Sequence, residues 1–488
     1  MKHVFTKLIA LFFAAMLISN SAQSQTTPQY TAELLRHFDI GQIDSTLNAN
    51  GIPGALFVLS YEVDVYRIIY RTPAAAGDSL TSASGLVILP VGDTCSVPII
   101  SYDHGTQLKK SDCFSNLSGE WFLGVVSAAT GYAAVLPDYL GMGYSPVFHP
   151  YQHAKTEASA TIDLIRVCKD LSADNDLNLS GQLFLMGYSQ GGHAAMATHK
   201  TMQEDFPNEF TVTASAPMSG AYDMSGAQFD FVASFDPYSQ PGYLPYLIKG
   251  YHEAYGDALY TDWSDILKSP YDVTIPPLLS GAYYMDAVNN AMPNVPREII
   301  DSAYSAEFFA DSLHPFRVAL KENNVYQWVP NCPMRLNYCT SDEEVNPLNA
   351  SVAYNWMTTQ GAPQVQKINR SETLSHFECA QPSIVLTKFW FDSLATFCQT
   401  GVGLSEKPFT SQGWEIGNNY QEGKLMGKVS NYTGTYFDVY IYSSTGKMVK
   451  AEQNINTANF TVDISTLPSG MYVVWSNLGS GLWSKFIR

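Results

Sequence analysis

A chain of 488 residues with 46% hydrophobic and 13% aromatic side chains is long enough for two or more domains around sizeable cores. Its formal net charge of −18, from 45 Asp and Glu against 27 Lys and Arg, excludes the basic footprint by which proteins hold nucleic acid or anionic membrane surfaces. Seven cysteines without a Cys-x-x-Cys pair, and histidines that do not cluster, give no pattern for a metal site, and neither metal nor cofactor is expected.

The chain opens with Lys2 and Lys7, an apolar run over 8–18, and the small polar stretch Ser21-Ala22-Gln23-Ser24. Residues 1–24 therefore read as a cleaved secretory signal, its apolar run too short to span a bilayer. No later stretch has the length and apolarity of a transmembrane segment. Export through an oxidising space implies that some cysteines pair. Cys95 with Cys113, and one of Cys332 or Cys339 with Cys379, are the plausible pairs, and the odd count leaves at least one thiol.

After the signal, 30–48 reads as a helix covering a sheet edge. Strands follow over 55–71 and 85–90, an antiparallel start to a sheet, and then two buried strands. The first, 97–102, ends in Asp103-His104-Gly105-Thr106; the second, 132–136, ends in Pro137-Asp138-Tyr139-Leu140-Gly141-Met142-Gly143. Helix 154–171 carries Ala158, Ile162, Ile165 and Cys168 on one face. Strand 183–186, helix 193–202 and strand 211–216 come next. From 219 to 328 the strand rhythm stops and Tyr, Pro, Phe and Asp dominate, which marks a helical cap inserted into the domain. The alternation then resumes with strand 334–339, helix 346–359, strand 364–369, a loop at Ser375-His376-Phe377 and helix 382–397. This is the pattern of an α/β domain over 25–400 with a doubly wound, mostly parallel sheet. A linker over 401–412 leads to short alternating strands at 424–429, 437–443, 447–453, 460–464, 471–476 and 483–487, a small β-sandwich over 413–488.

The chemistry centres on Gly187-Tyr188-Ser189-Gln190-Gly191, the G-x-S-x-G pattern, between an apolar strand and a helix. Flanking residues without a Cβ let strand and helix meet at a sharp turn, so that the serine oxygen stands clear at the carboxyl end of the sheet. In such sites the chain order is Ser, acid, His. After His314 the one histidine left is His376, in a loop that follows a strand, and it becomes the candidate base. The acid belongs in the loop after strand 334–339, where Asp342 comes first; Glu343 and Glu344 are the alternatives, each otherwise a solvated loop charge or helix-cap acid. His376 would take the Ser189 proton during attack on an acyl carbonyl, and Asp342 would hold its tautomer. The backbone N–H of Gln190 and one from the His104-Gly105-Thr106 loop, with Thr106 as donor and Gly105 allowing the turn, would form the oxyanion hole. Asp138 and Gly141 to Gly143 read as a structural turn beside the site.

Together, Asp103-His104-Gly105-Thr106, the turn from Pro137 to Gly143, Gly187-Tyr188-Ser189-Gln190-Gly191-Gly192, and Asp342 with His376 resemble the secretory lipase family of α/β-hydrolases over about 30–400. The resemblance implies hydrolysis of carboxylic esters, of acyl or lipid-like type, beneath a cap over the acyl groove. The tail, with Phe437 to Gly446, Val462 to Val474 and the terminal Lys485-Phe486-Ile487-Arg488, resembles the C-terminal sorting domains of type IX secretion. That implies partnership with the secretion machinery and a secreted or cell-surface location. The alternative for the tail is a carbohydrate-binding or spacer module; for the main domain, a serine peptidase of the same fold or an inactive hydrolase fold used for binding.

Overall fold

The computed structural model describes residues 27–50, 57, 59–92, 96–397 and most of 410–487; the signal segment and nearly all of the linker lie outside them. Nine strands form one sheet in the order β1-β2-β3-β5-β4-β6-β7-β8-β9. They are β1 Tyr30–Phe38, β2 Glu62–Pro73, β3 Leu80–Val91, β4 Val97–Asp103, β5 Ala133–Pro137, β6 Leu179–Tyr188, β7 Ala214–Met218, β8 Met334–Cys339 and β9 Val365–Ser371. The pairs β1/β2, β2/β3 and β3/β5 are antiparallel, and every pair from β5/β4 to β8/β9 is parallel. The central strands are covered on both faces, so β4, β5 and β7 are buried at every residue rather than at alternate ones. Helices Phe122–Ala129 and His376–Leu394 pack one face, in a core with Phe184, Phe391 and Leu136. Helix Ala154–Asp174 packs the other face, through Ile162, Ile165 and Cys168 against Val87, Val135 and Leu185.

Three readings of the sequence are corrected. Segment 30–48 is not one helix: Tyr30–Phe38 pairs antiparallel with β2, and the helix is Ile40–Ala49. The break comes at Asp39, whose side chain accepts the Gln42 N–H while Gln42 returns a bond to the Asp39 N–H, a capping box that starts a helix there. The last helix of the domain is not 382–397 but His376–Leu394, with Pro382 inside it. Ser375 caps this helix in a box with Glu378, and burial of Ile384, Val385 and Phe391 in the core offsets the backbone bond that the proline gives up. Cys113 is a free buried thiol, so it makes no bridge to Cys95, which lies outside the described residues. The other pairing resolves as Cys339–Cys379, while Cys332 stays free.

Between β7 and β8 the chain leaves the sheet and folds into helices, among them Ala227–Val232, Tyr243–Tyr255, Ser302–Ala310 and Pro315–Glu322. They share an aromatic and aliphatic core that includes Tyr251, Ile248, Phe308 and Phe316. The C-terminal strands form two four-stranded antiparallel sheets. Leu425, Phe460 and Val462 of one meet Val439, Ile441 and Val474 of the other in a common core, which makes a sandwich. Among the described residues, no helix is long and apolar enough to cross a membrane.

Candidate active site

The turn after β6 holds Ser189 at φ 61° and ψ −122°, immediately before helix Gln190–Asp205. A non-glycine residue keeps such a conformation only where its surroundings impose it. Here they are backbone: a Cβ on Gly187 would lie 2.2 Å from the Gly191 oxygen, and one on Gly191 would lie 1.9 Å from the Asp103 oxygen. The Ser189 N–H also donates to Met218 O at 2.9 Å, tying the turn to the end of β7. Strand, turn and helix therefore close against the carboxyl ends of β4 and β7 at main-chain contact, with Ser189 carried on top.

His376 is the first residue of its helix, not a loop residue. Its Nδ1 meets Asp342 Oδ2 at 2.7 Å, and both residues are buried, each 5% exposed. Asp342 comes just after β8, and its other oxygen accepts the backbone N–H groups of Glu344 at 3.1 Å and Val345 at 2.8 Å. With Oδ1 committed to those amides, Oδ2 is directed at the imidazole. Burial by itself would lower the His376 pKa, but the Asp342 hydrogen bond and charge, joined by Glu344 and Glu343, raise it above the ordinary 6.5. The Cys339–Cys379 bridge, at a sequence separation of 40, closes the segment that carries both Asp342 and His376. Cys379→Ser should lower the unfolding free energy by about 2–4 kcal/mol, read in denaturant with and without reductant.

Glu343 and Glu344 are not merely solvated loop charges. Glu343 Oε2 accepts the His376 backbone N–H at 2.9 Å, and Glu344 Oε2 lies 3.9 Å from His376 Nε2. Across the site, Gly105 lies beside the serine: a Cβ built on it would be 3.5 Å from Ser189 Cβ. Thr106 Oγ1 shares a 2.9 Å hydrogen bond with Tyr151 OH. Asp138 accepts from Ser84 Oγ at 2.6 Å and the Ser115 N–H at 3.0 Å, and Gly141, at φ 82°, packs against the His149 backbone.

Sequence reasoning missed a buried polar group beneath the turn. Gln190 Nε2 donates to Glu157 Oε1 and to His149 Nε2, both at 2.8 Å. His149 Nδ1 donates to Leu140 O at 2.6 Å, which sets the tautomer, and burial lowers its pKa to about 4, so it stays neutral. Glu157 Oε2 meets His193 Nδ1 at 2.6 Å, and His193 Nε2 donates to Asn323 O at 2.9 Å. The residue after Ser189 is thus anchored by its side chain, which fixes the aim of its backbone N–H. Nothing in the sequence around Glu157 separates it from a surface helix glutamate.

Ser189 lines a small cavity of about 60 Å³ whose walls include Met224, Phe229, Leu244 and Phe316, with Glu344 among its polar lining residues. A serine on a strained turn within an apolar cavity, with a carboxylate-held histidine packed against the preceding Tyr188, is an arrangement that can activate a hydroxyl for attack on an acyl carbonyl.

Residues 118–225 match the family model described as Secretory lipase, and 423–487 match the Secretion system C-terminal sorting domain. Among solved structures, a protein from Legionella pneumophila classed provisionally as a hydrolase is 27% identical, with TM-score 0.68, over 75% of this chain and 97% of its own. The rice cell wall degrading esterase LipA from Xanthomonas oryzae is 25% identical, with TM-score 0.65, over 75% of this chain and 98% of its own. Candida antarctica lipase A shares the fold at 16% identity and TM-score 0.55, over 75% of this chain and 81% of its own. The comparison with curated proteins gives no match. The chain has the α/β-hydrolase fold of these lipases and esterases, matches the secretory lipase family across the Ser189 turn, and ends in a type IX sorting domain that marks a secreted or cell-surface protein.

Proposed function

We propose that this protein is a secreted serine hydrolase that cleaves carboxylic esters of acyl or lipid-like chains through Ser189, His376 and Asp342 and an acyl-enzyme intermediate. The observation that carries the reading is the buried 2.7 Å His376–Asp342 pair at the strained Ser189 turn, under an apolar cavity. Ser189 Oγ attacks the ester carbonyl while its proton passes to His376 Nε2, and Asp342 stabilises the imidazolium and holds the ring. The oxyanion is received by the N–H of Gln190 and by one from the Gly105-Thr106 loop. The imidazolium returns its proton to the leaving alcohol oxygen, and water releases the acid by the same steps in reverse order. The domain limits follow this reading: hydrolase over 25–400, cap over 219–328, sorting domain over 413–488.

Hydrolysis of p-nitrophenyl esters of graded acyl length tests it. Activity should rise from acetate to short acyl chains that meet the apolar walls, and Ser189→Ala should lower kcat by about 10⁴-fold or more. Undiminished turnover in Ser189→Ala would overturn the mechanism.

A further inference from the structure

Three consecutive carboxylates address one histidine. Asp342 Oδ2 takes Nδ1 at 2.7 Å, Glu343 Oε2 takes the backbone N–H at 2.9 Å, and Glu344 Oε2 stands 3.9 Å from Nε2. Glu343 satisfies one of the orphan donors at a helix start. Glu344 answers no such need. Its side chain is 12% exposed, and it lines the Ser189 cavity on the edge of the ring that must exchange protons. The cap holds it there: Gln240 Nε2 donates to Oε1 at 3.1 Å and Tyr243 OH to Oε2 at 3.0 Å. Beside them, Tyr238 OH donates to Glu344 O at 2.7 Å and Ser239 Oγ to Glu343 O at 2.8 Å. One stretch of the cap is thus fastened to the loop that carries the acid.

We propose that Glu344 is a positioning residue for the base: held by Tyr243 and Gln240 of the cap, its carboxylate stabilises the His376 imidazolium from the Nε2 edge, so that base strength depends on cap closure. The inference rests on the triad reading of Ser189, Asp342 and His376. The proton moves from Ser189 Oγ to Nε2 as the Oγ–acyl bond forms, then from Nε2 to the leaving oxygen as the ester C–O bond breaks. Glu344 receives no proton. At 3.9 Å it is beyond hydrogen-bond range and acts through charge in a water-poor site.

The other ionisable groups around the ring are accounted for. Asp342 and Glu343 come from the same loop. Tyr188, at the end of β6, donates to His376 O at 2.5 Å, with its ring 5.0 Å from the imidazole. Burial pushes the pKa of Tyr188, Tyr238 and Tyr243 well above the usual phenol, so they stay neutral through the working range. Glu378, on the same helix as His376, is turned to the Ser375 cap.

The test is the pH dependence of kcat and kcat/KM for the full chain on a soluble short-chain p-nitrophenyl ester. The wild-type acid limb should lie above 6.5, because activity needs the neutral imidazole and rises as pH passes its raised pKa. Glu344→Gln should move that limb about one pH unit lower. It should also reduce kcat at pH 8 about tenfold with KM little changed. Relative to its own plateau, the variant therefore becomes the more active form at acid pH. Tyr243→Phe, which loosens the carboxylate without removing it, should shift the limb the same way by less, and it carries the test if Glu344→Gln does not fold. An acid limb unmoved in the folded variants, even with reduced kcat, would assign Glu344 a purely structural part and overturn the inference. Retained activity in Ser189→Ala would instead remove the triad reading beneath it.

Discussion

Asp342→Asn is expected to leave a folded protein whose kcat on p-nitrophenyl esters is about 10⁴-fold lower. The size of the loss follows from how the carboxylate is held. Asp342 Oδ1 accepts two backbone N–H groups, from Glu344 and Val345. In the asparagine variant those donors retain the amide oxygen, so the amide nitrogen must face His376 Nδ1. That nitrogen can only donate, so Nδ1 becomes an acceptor and the ring proton moves to Nε2. The edge facing the serine then carries a hydrogen and cannot take the Ser189 proton. Glu343→Gln keeps an acceptor for the His376 backbone N–H and should change kcat by less than about tenfold. Kinetics on the pair, with circular dichroism to check folding, separates tautomer control from simple loss of charge.

Gly191→Ala should abolish activity and destabilise the domain by about 3 kcal/mol or more. The added methyl would lie 1.9 Å from the Asp103 oxygen, 2.5 Å from its carbonyl carbon and 2.8 Å from the His104 oxygen, all backbone atoms. No rotamer change relieves such contacts, and moving the helix would drag Ser189 and the Gln190 amide out of place. Gly105→Ala is the control. Its methyl would sit 3.5 Å from Ser189 Cβ and from Tyr188 O, ordinary contact distances, so the fold should tolerate it while substrate access narrows. Thermal unfolding of the two variants should differ clearly, and equal stability would contradict this account of the turn.

What could be read from the sequence was what local physics encodes. The Gly187 to Gly192 turn lies between an apolar strand and a helix, a local pattern, although its glycines answer close contacts with one another and with the ends of β4 and β7. His376 stood out because so few histidines follow the cap, and Asp342 because it opens the loop after β8. The two-sheet tail was visible in its short alternating strands. Local signals also misled: Pro382 suggested a helix start, whereas the Ser375–Glu378 capping box begins that helix at His376.

The tertiary structure decided what depends on distant partners. Residues 30–38 became a strand because β2 offers an edge, a fact absent from their own pattern. Cys379 chose Cys339 over Cys332 because β8 and the final helix bring those two together. Glu157, buried under the turn with Gln190 and His193, could not be told from a surface helix glutamate until the fold enclosed it. Glu343 and Glu344, read from the sequence as solvated loop charges or helix-cap acids, are told apart only by the fold: Glu343 stays exposed and accepts the His376 N–H, while Glu344 is held by the cap. Only the convergence of the cap, the loop after β8 and the His376 helix gives each carboxylate its donor or its charge partner. The sequence by itself determined the α/β alternation, the Ser189 turn and the order of the candidate residues, because these rest on periodicity, glycine sterics and capping. Side-chain direction, carboxylate roles and disulfide choice were left to the packed fold, because each is set by atoms brought near from remote parts of the chain.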